Sequence, residues 1–135
     1  MPNTPITREQ WKLMAVLSLF WGTLFGALGI FFPYYSLYLK EDLGLTGQQV
    51  GMAMGVFHLI GLIGQPAWGY IADRTGSRKR VLVILSTGMA LGFVAFWFVE
   101  KYTMLLLVSA VFAAFYTSLI PQGMALGLGL LYRSN

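Results

Sequence analysis

Cysteine is absent from all 135 residues. That excludes a disulfide framework, a thiolate metal site and a cysteine nucleophile. Charge is scarce as well. Nine Lys and Arg with five Asp and Glu make up 10% of the chain, against about 25% in soluble domains. A water-soluble globule this poor in charge would have an apolar exterior. With 57% hydrophobic residues and a mean hydropathy of +0.68, composition places the chain in the membrane class. One histidine and five acids leave little material for a metal cluster, so neither a metal nor another cofactor is expected. The net charge of +4 does not point to nucleic acid, because the cations follow the topology. No acid pair, triad or metal spacing occurs within the apolar stretches, so an enzyme has no support.

What is there is a set of long apolar stretches. Uncharged runs of 27, 30, 19 and 31 residues lie between Lys12 and Lys40, Asp42 and Asp73, Arg80 and Glu100, and Lys101 and Arg133. A spanning helix needs about 20 mainly apolar residues. The chain therefore reads as an all-α membrane protein with four transmembrane helices. The spans cover about 11–39, 47–72, 79–99 and 103–124, after a cytoplasmic segment 1–10 and before a tail 133–135. A barrel fails, because the pieces are too long and do not alternate. Two helix starts are marked. Thr7 with Gln10, and Thr46 with Gln49, fit capping boxes, with Ile6/Trp11 and Leu45/Val50 as staples.

Positive charge sets the orientation. Seven of the nine Lys and Arg fall on one side: Arg8, Lys12, Arg74, Arg78, Lys79, Arg80 and Arg133. Both termini are then cytoplasmic, in the cell membrane. Tyr34, Tyr35, Tyr38 and Tyr102 fall near the outer interface as an aromatic belt.

Two small-residue stripes stand out. Gly22, Gly26, Gly29, Pro33 and Ser36 follow one face of helix 1; Gly51, Gly55, His58, Leu62, Gln65 and Gly69 follow one face of helix 2. Such stripes let helix backbones approach closely and read as packing seams; in the alternative, part of each lines a cavity. His58, near mid-span, is an expensive residue in lipid and is expected to face the bundle interior or a water path. Its alternative is a neutral ring bonded to a neighbouring hydroxyl. Trp21, His58, Gln65, Tyr116 and Gln122 are the candidates for a solute cavity. Pro66 is expected to bend helix 2, and Pro121 with Gly123 to kink helix 4. Pro33 lies 21 residues after Lys12 and Pro121 lies 20 after Lys101, a faint echo of the inverted repeats of transporters.

The densest charge lies in Gly69–Arg80. Asp73 is at the negative end of helix 2, where a carboxylate needs a partner, in this turn or on another helix terminus. Gly76 supplies the positive φ of a sharp reversal. The block resembles the loop 2–3 signature of the major facilitator superfamily: Gly69, Asp73, Arg74, Gly76, Arg78 and Lys79 occupy its fixed positions. The stretches 26–35, 38–46 and 64–69 look like its lactose-permease-like and phenylpropionate-permease-like branch. This resemblance implies the first four helices of a twelve-helix fold with two six-helix halves. It implies proton-coupled symport of a small organic solute by alternating access. The six signature residues would form a gate pairing with C-terminal helices that this chain lacks. The acid that sugar symporters often carry after the helix 4 proline is replaced by Met124 and Ala125. Two alternatives stand beside this one. The first is an inactive truncated fragment. The second is a small four-helix oligomeric exporter or assembly protein, although an exporter of that kind would carry a carboxylate in helix 1 and 13–39 hold none.

Overall fold

The computed structural model describes residues 7–134, with side chains through Tyr132. Four helices follow one another: α1 (Arg8–Glu41), α2 (Gly47–Thr75), α3 (Arg78–Phe96) and α4 (Tyr102–Ser134). All four are long and apolar enough to cross a membrane. At 1.5 Å per residue, the 19 residues of α3 reach roughly 28 Å and the 34 of α1 roughly 51 Å. The longer helices must therefore tilt or project beyond a hydrocarbon core about 30 Å thick. α4 runs unbroken through Pro121 and Gly123 to Ser134, ten residues past the end of its expected span.

Local chemistry explains the helix ends. The Thr7 hydroxyl accepts from the Gln10 amide at 3.3 Å, and the Gln10 side chain accepts from the Thr7 amide at 2.9 Å. Thr46 and Gln49 repeat the exchange at 3.4 and 3.0 Å. Each box satisfies two amides that the helix geometry leaves orphaned. The expected staple residue Ile6 lies outside the described residues. Gly76 ends α2 in the left-handed region, at φ 63°. There a Cβ would press on the following carbonyl, so glycine suits the reversal. The connections are short, so the helices alternate in direction. The C-termini of α1 and α3 lie at one end of the bundle, and the 69–80 turn lies at the other.

α4 is the central helix and packs against both α2 and α3. Its buried face is Leu105, Ser109, Phe112, Ala113, Ser118, Leu119 and Gln122. Around Phe112 the rings of Phe31, Phe57, Phe93, Phe96 and Tyr116 lie 4.9–5.9 Å away, centroid to centroid. These tilted, edge-on and stacked arrangements add to the dispersion gained by close packing.

The seams are not where the two stripes lie. On α1, Gly22, Gly26 and Gly29 face open space. Leu24, Leu28, Tyr35 and Leu39 are buried instead. Large side chains offer more contact to a neighbour than a glycine ridge does, so α1 turns its bulky face inward. On α2, the buried residues are Ala53, Phe57, Gly61 and Ala72, one step round from the stripe. Gly61 packs on Thr117, and Gly64 on the Ala114 backbone and Ser118. The closest seam joins α3 and α4. A Cβ on Gly88 would overlap the Phe115 ring, and one on Gly92 would come within 2.7 Å of Phe112 Cδ2. Gly88 and Gly92 are four residues apart, the spacing of small-residue helix pairs in membranes. That spacing stands in the sequence outside both stripes.

The tyrosines expected in a belt also divide. Tyr35 is buried and shares a hydrogen bond of 2.8 Å with Ser109. Tyr38 donates to the Val99 carbonyl at 3.2 Å, and Tyr102 to the Gln49 carbonyl at 3.4 Å. Of the four, only Tyr34 is exposed.

Candidate functional site

A cleft of about 610 Å³ opens between α2 and α4, with Phe32 of α1 at its edge. Its walls are mainly apolar: Met54, Phe57, Leu62, Ile120 and Pro121. Four polar groups converge on it: His58, Gln65, Tyr116 and Thr117. The steps 58–65 on α2 and 116–120 on α4 are each about one or two turns, which brings these side chains to facing surfaces. Three of the five sequence candidates, His58, Gln65 and Tyr116, therefore share one cleft.

His58 and Gln65 are exposed, and Tyr116 is half-buried. The His58 ring is anchored through Nδ1 at 3.3 Å from the Met54 carbonyl oxygen. Its partner is thus its own helix backbone, not a neighbouring hydroxyl. A neutral ring donating there leaves Nε2 as an acceptor. Thr117 donates its hydroxyl to the Ala113 carbonyl at 2.7 Å, which leaves its lone pairs free to accept. No Asp, Glu, Lys or Arg lines the cleft. Such a lining can hydrogen-bond a solute and cover an apolar face. It holds no paired acid and base. Among the described residues, no group of three or more His, Asp and Glu could hold a metal ion. Thr117 and the ring walls Phe32 and Phe57 are absent from the candidate set. Thr117 had a signal in its place beside Tyr116 on an apolar helix. The ring walls had none, because a phenylalanine in a span reads as core.

Trp21 and Gln122 lie elsewhere. Trp21 sits in a separate groove of about 620 Å³ with Ser18, Met124 and Gly127, its ring packed on Gly123. Gln122 is 7% exposed, with its amide facing Gly69 on α2. Both residues look polar or amphipathic in sequence, but rotation about the helix axes points them away from His58.

At the other candidate site, in the 69–80 turn, Asp73 has its partner within the turn. Its Oδ1 lies 3.3 Å from an Arg78 guanidinium nitrogen. Both side chains are well exposed, so the pair is worth no more than about 1 kcal/mol. Arg74 lies over the Tyr70 ring, 5.6 Å from its centroid. Lys79 and Arg80 are exposed in the first turn of α3, where the helix dipole opposes cations. Gly69 has ordinary van der Waals room, with Gln122 Nε2 3.7 Å from where a Cβ would stand.

Comparison with known proteins agrees with this architecture. The model of the MFS_1 like family matches residues 13–135. The uncharacterized transporter YwbF of Bacillus subtilis (strain 168) is 31% identical over the whole chain, which covers 33% of that protein. The maltose permease of Geobacillus stearothermophilus is 28% identical over 84% of the chain and 29% of the permease. The probable 3-phenylpropionic acid transporter of Escherichia coli (strain K12) is 33% identical over 78% of the chain and 27% of its own length. The chain thus spans about a third of the length of these relatives. No solved structure gives a significant match. Four helices long and apolar enough to span a membrane, together with these transporter-named relatives, identify a multi-pass membrane protein: the chain belongs to the MFS_1 like family, within the major facilitator superfamily.

Proposed function

We propose that this chain forms part of a secondary active transporter that moves a small organic solute, coupled to protons, by alternating access. The observation that carries the reading is the convergence of His58, Gln65, Tyr116 and Thr117 on one cleft between α2 and α4. Polar groups in a membrane helix are costly unless they face a cavity or a partner. Relatives named for maltose and for 3-phenylpropionic acid suggest the solute range. In this reading His58 and Gln65 contact solute, and His58 is the group able to exchange a proton. The other helices of a complete transporter complete the cavity. Asp73, Arg74, Arg78 and Lys79, with Gly69 and Gly76 shaping the turn, form the gate. A weak, exposed Asp73–Arg78 pair suits that role, since it exchanges partners at little cost. Both termini lie in the cytoplasm, and the membrane is the cell membrane.

The test is uptake of labelled maltose and 3-phenylpropionate by cells expressing the natural reading frame that carries these residues. Uptake of one of them, abolished by a protonophore, is expected. His58→Ala and Gln65→Ala should each lower it at least tenfold, and Asp73→Asn should slow it with little change in the solute concentration at half-maximal rate. Uptake unaffected by all three substitutions overturns the assignment. Uptake that survives the protonophore removes the proton.

A further inference from the structure

The end of the bundle away from the 69–80 turn holds a groove of about 520 Å³ between the C-terminal turns of α1 and α3. It is lined by aromatic rings, among them Tyr34, Tyr38, Phe93, Phe96 and Trp97, and by one charged side chain, Asp42. Trp97 is 88% exposed and Tyr34 69%, so two ring faces are left uncovered. Behind them Phe31 holds Phe93 edge-on at 5.0 Å and Phe96 at 5.5 Å, a rigid wall.

The one charged side chain that lines this groove is acidic. Asp42 is the C-cap of α1, its amide bonded to the Tyr38 carbonyl. Trp97 is the C-cap of α3, whose last turn holds no basic residue. Two helix C-termini, each the negative end of a macrodipole, therefore converge beside a carboxylate. At the opposite end Asp73 meets the same difficulty and is relieved by Arg78. Among the described residues Asp42 makes no ion pair. Lys40 is the basic residue of the last turn of α1 and is not part of the groove lining. A carboxylate, the negative ends of two helix dipoles and exposed aromatic faces all attract a cation. Aromatic faces favour one that is large and weakly hydrated, with indole the strongest.

We propose that this groove binds an organic ammonium group, held by Asp42 and covered by the faces of Trp97 and Tyr34. The chemistry is shared by the ammonium headgroup of a membrane lipid and by a free organic cation, and the groove lies where the helices end and headgroups begin. The site is separate from the α2–α4 cleft and does not depend on what that cleft transports.

Two arms of one experiment decide it, on the purified protein in detergent. Native mass spectrometry counts retained phosphatidylethanolamine and phosphatidylcholine against phosphatidylglycerol. In parallel, tetramethylammonium chloride is titrated against matched sodium chloride while tryptophan emission is followed. Retention of the ammonium lipids over phosphatidylglycerol assigns the site to a headgroup. A saturable emission change with tetramethylammonium but not sodium assigns it to a free cation. In either arm Asp42→Asn should weaken binding about tenfold, and Trp97→Leu should weaken it further. Glu41→Gln, one residue from Asp42 and outside the groove lining, should leave it unchanged. Trp97→Phe keeps the packing with a weaker π-face and covers the case in which Trp97→Leu fails to fold. Equal retention of all three lipids with no tetramethylammonium response overturns the proposal. So does binding that is indifferent to Asp42→Asn.

Discussion

Ser109 and Ser118 are both fully buried on α4, yet they differ in what they do. Ser109 shares a 2.8 Å hydrogen bond with Tyr35 across the bundle. The Ser118 hydroxyl has no hydrogen-bond partner. Removing one member of a buried pair strands the other, at about 1–3 kcal/mol, whereas removing an unpaired group costs nothing in bonding. Ser109→Ala should therefore lower the thermal midpoint in detergent, and Ser118→Ala should leave it level or raise it. A fall of equal size in both variants would contradict this division. His58 shows the same dependence on surroundings. Its type and mid-span place mark it as unusual in sequence, but its bond to the Met54 carbonyl and its aim into the cleft follow from the turn of α2 that carries it.

At the scale of the helix, starts were legible and packing seams were not. The Thr7 and Thr46 capping boxes rest on contacts three residues apart, which sequence spacing records directly. A packing face depends on which neighbour arrives and from what side. The glycines of α1 stand in open space, while the pair Gly88 and Gly92 carries the closest approach between α3 and α4. Gly88→Ala should cost about 1–3 kcal/mol by overpacking against Phe115. Gly26→Ala should cost nothing, and should add up to about 1 kcal/mol of helix stability. Unfolding in a graded detergent series compares the two. If Gly26→Ala proves the more damaging, the inward face of α1 has been assigned wrongly.

For the whole molecule, the absence of cysteine becomes a tool. Single cysteines at Ser77 and at Leu43 sit in connections at opposite ends of the bundle. With the proposed orientation, an impermeant maleimide added to intact cells should label residue 43 and spare residue 77, which should react only after permeabilisation. The reverse pattern would invert the topology, and with it the cytoplasmic assignment of the 69–80 gate. The experiment is independent of solute identity, so it checks the membrane arrangement even where transport is silent.

Scarce charge and four uncharged runs were enough to place the chain in a membrane as an all-helical protein, because a bilayer admits few alternatives for backbone hydrogen bonding. The spacing of six residues in 69–80 was enough to point to the superfamily, because a tight charged turn is a local feature. Which side chains meet was decided only by the tertiary structure. His58, Gln65 and Tyr116 share a cleft while Trp21 and Gln122 do not, although all five were candidates for one cavity. The reason is rotational. A residue step turns an α-helix by about 100°, so a small difference in how two helices dock moves a side chain from cavity to seam. Asp42 belongs to the same class: it is one acid in a short loop until the ends of α1 and α3 are brought together around it.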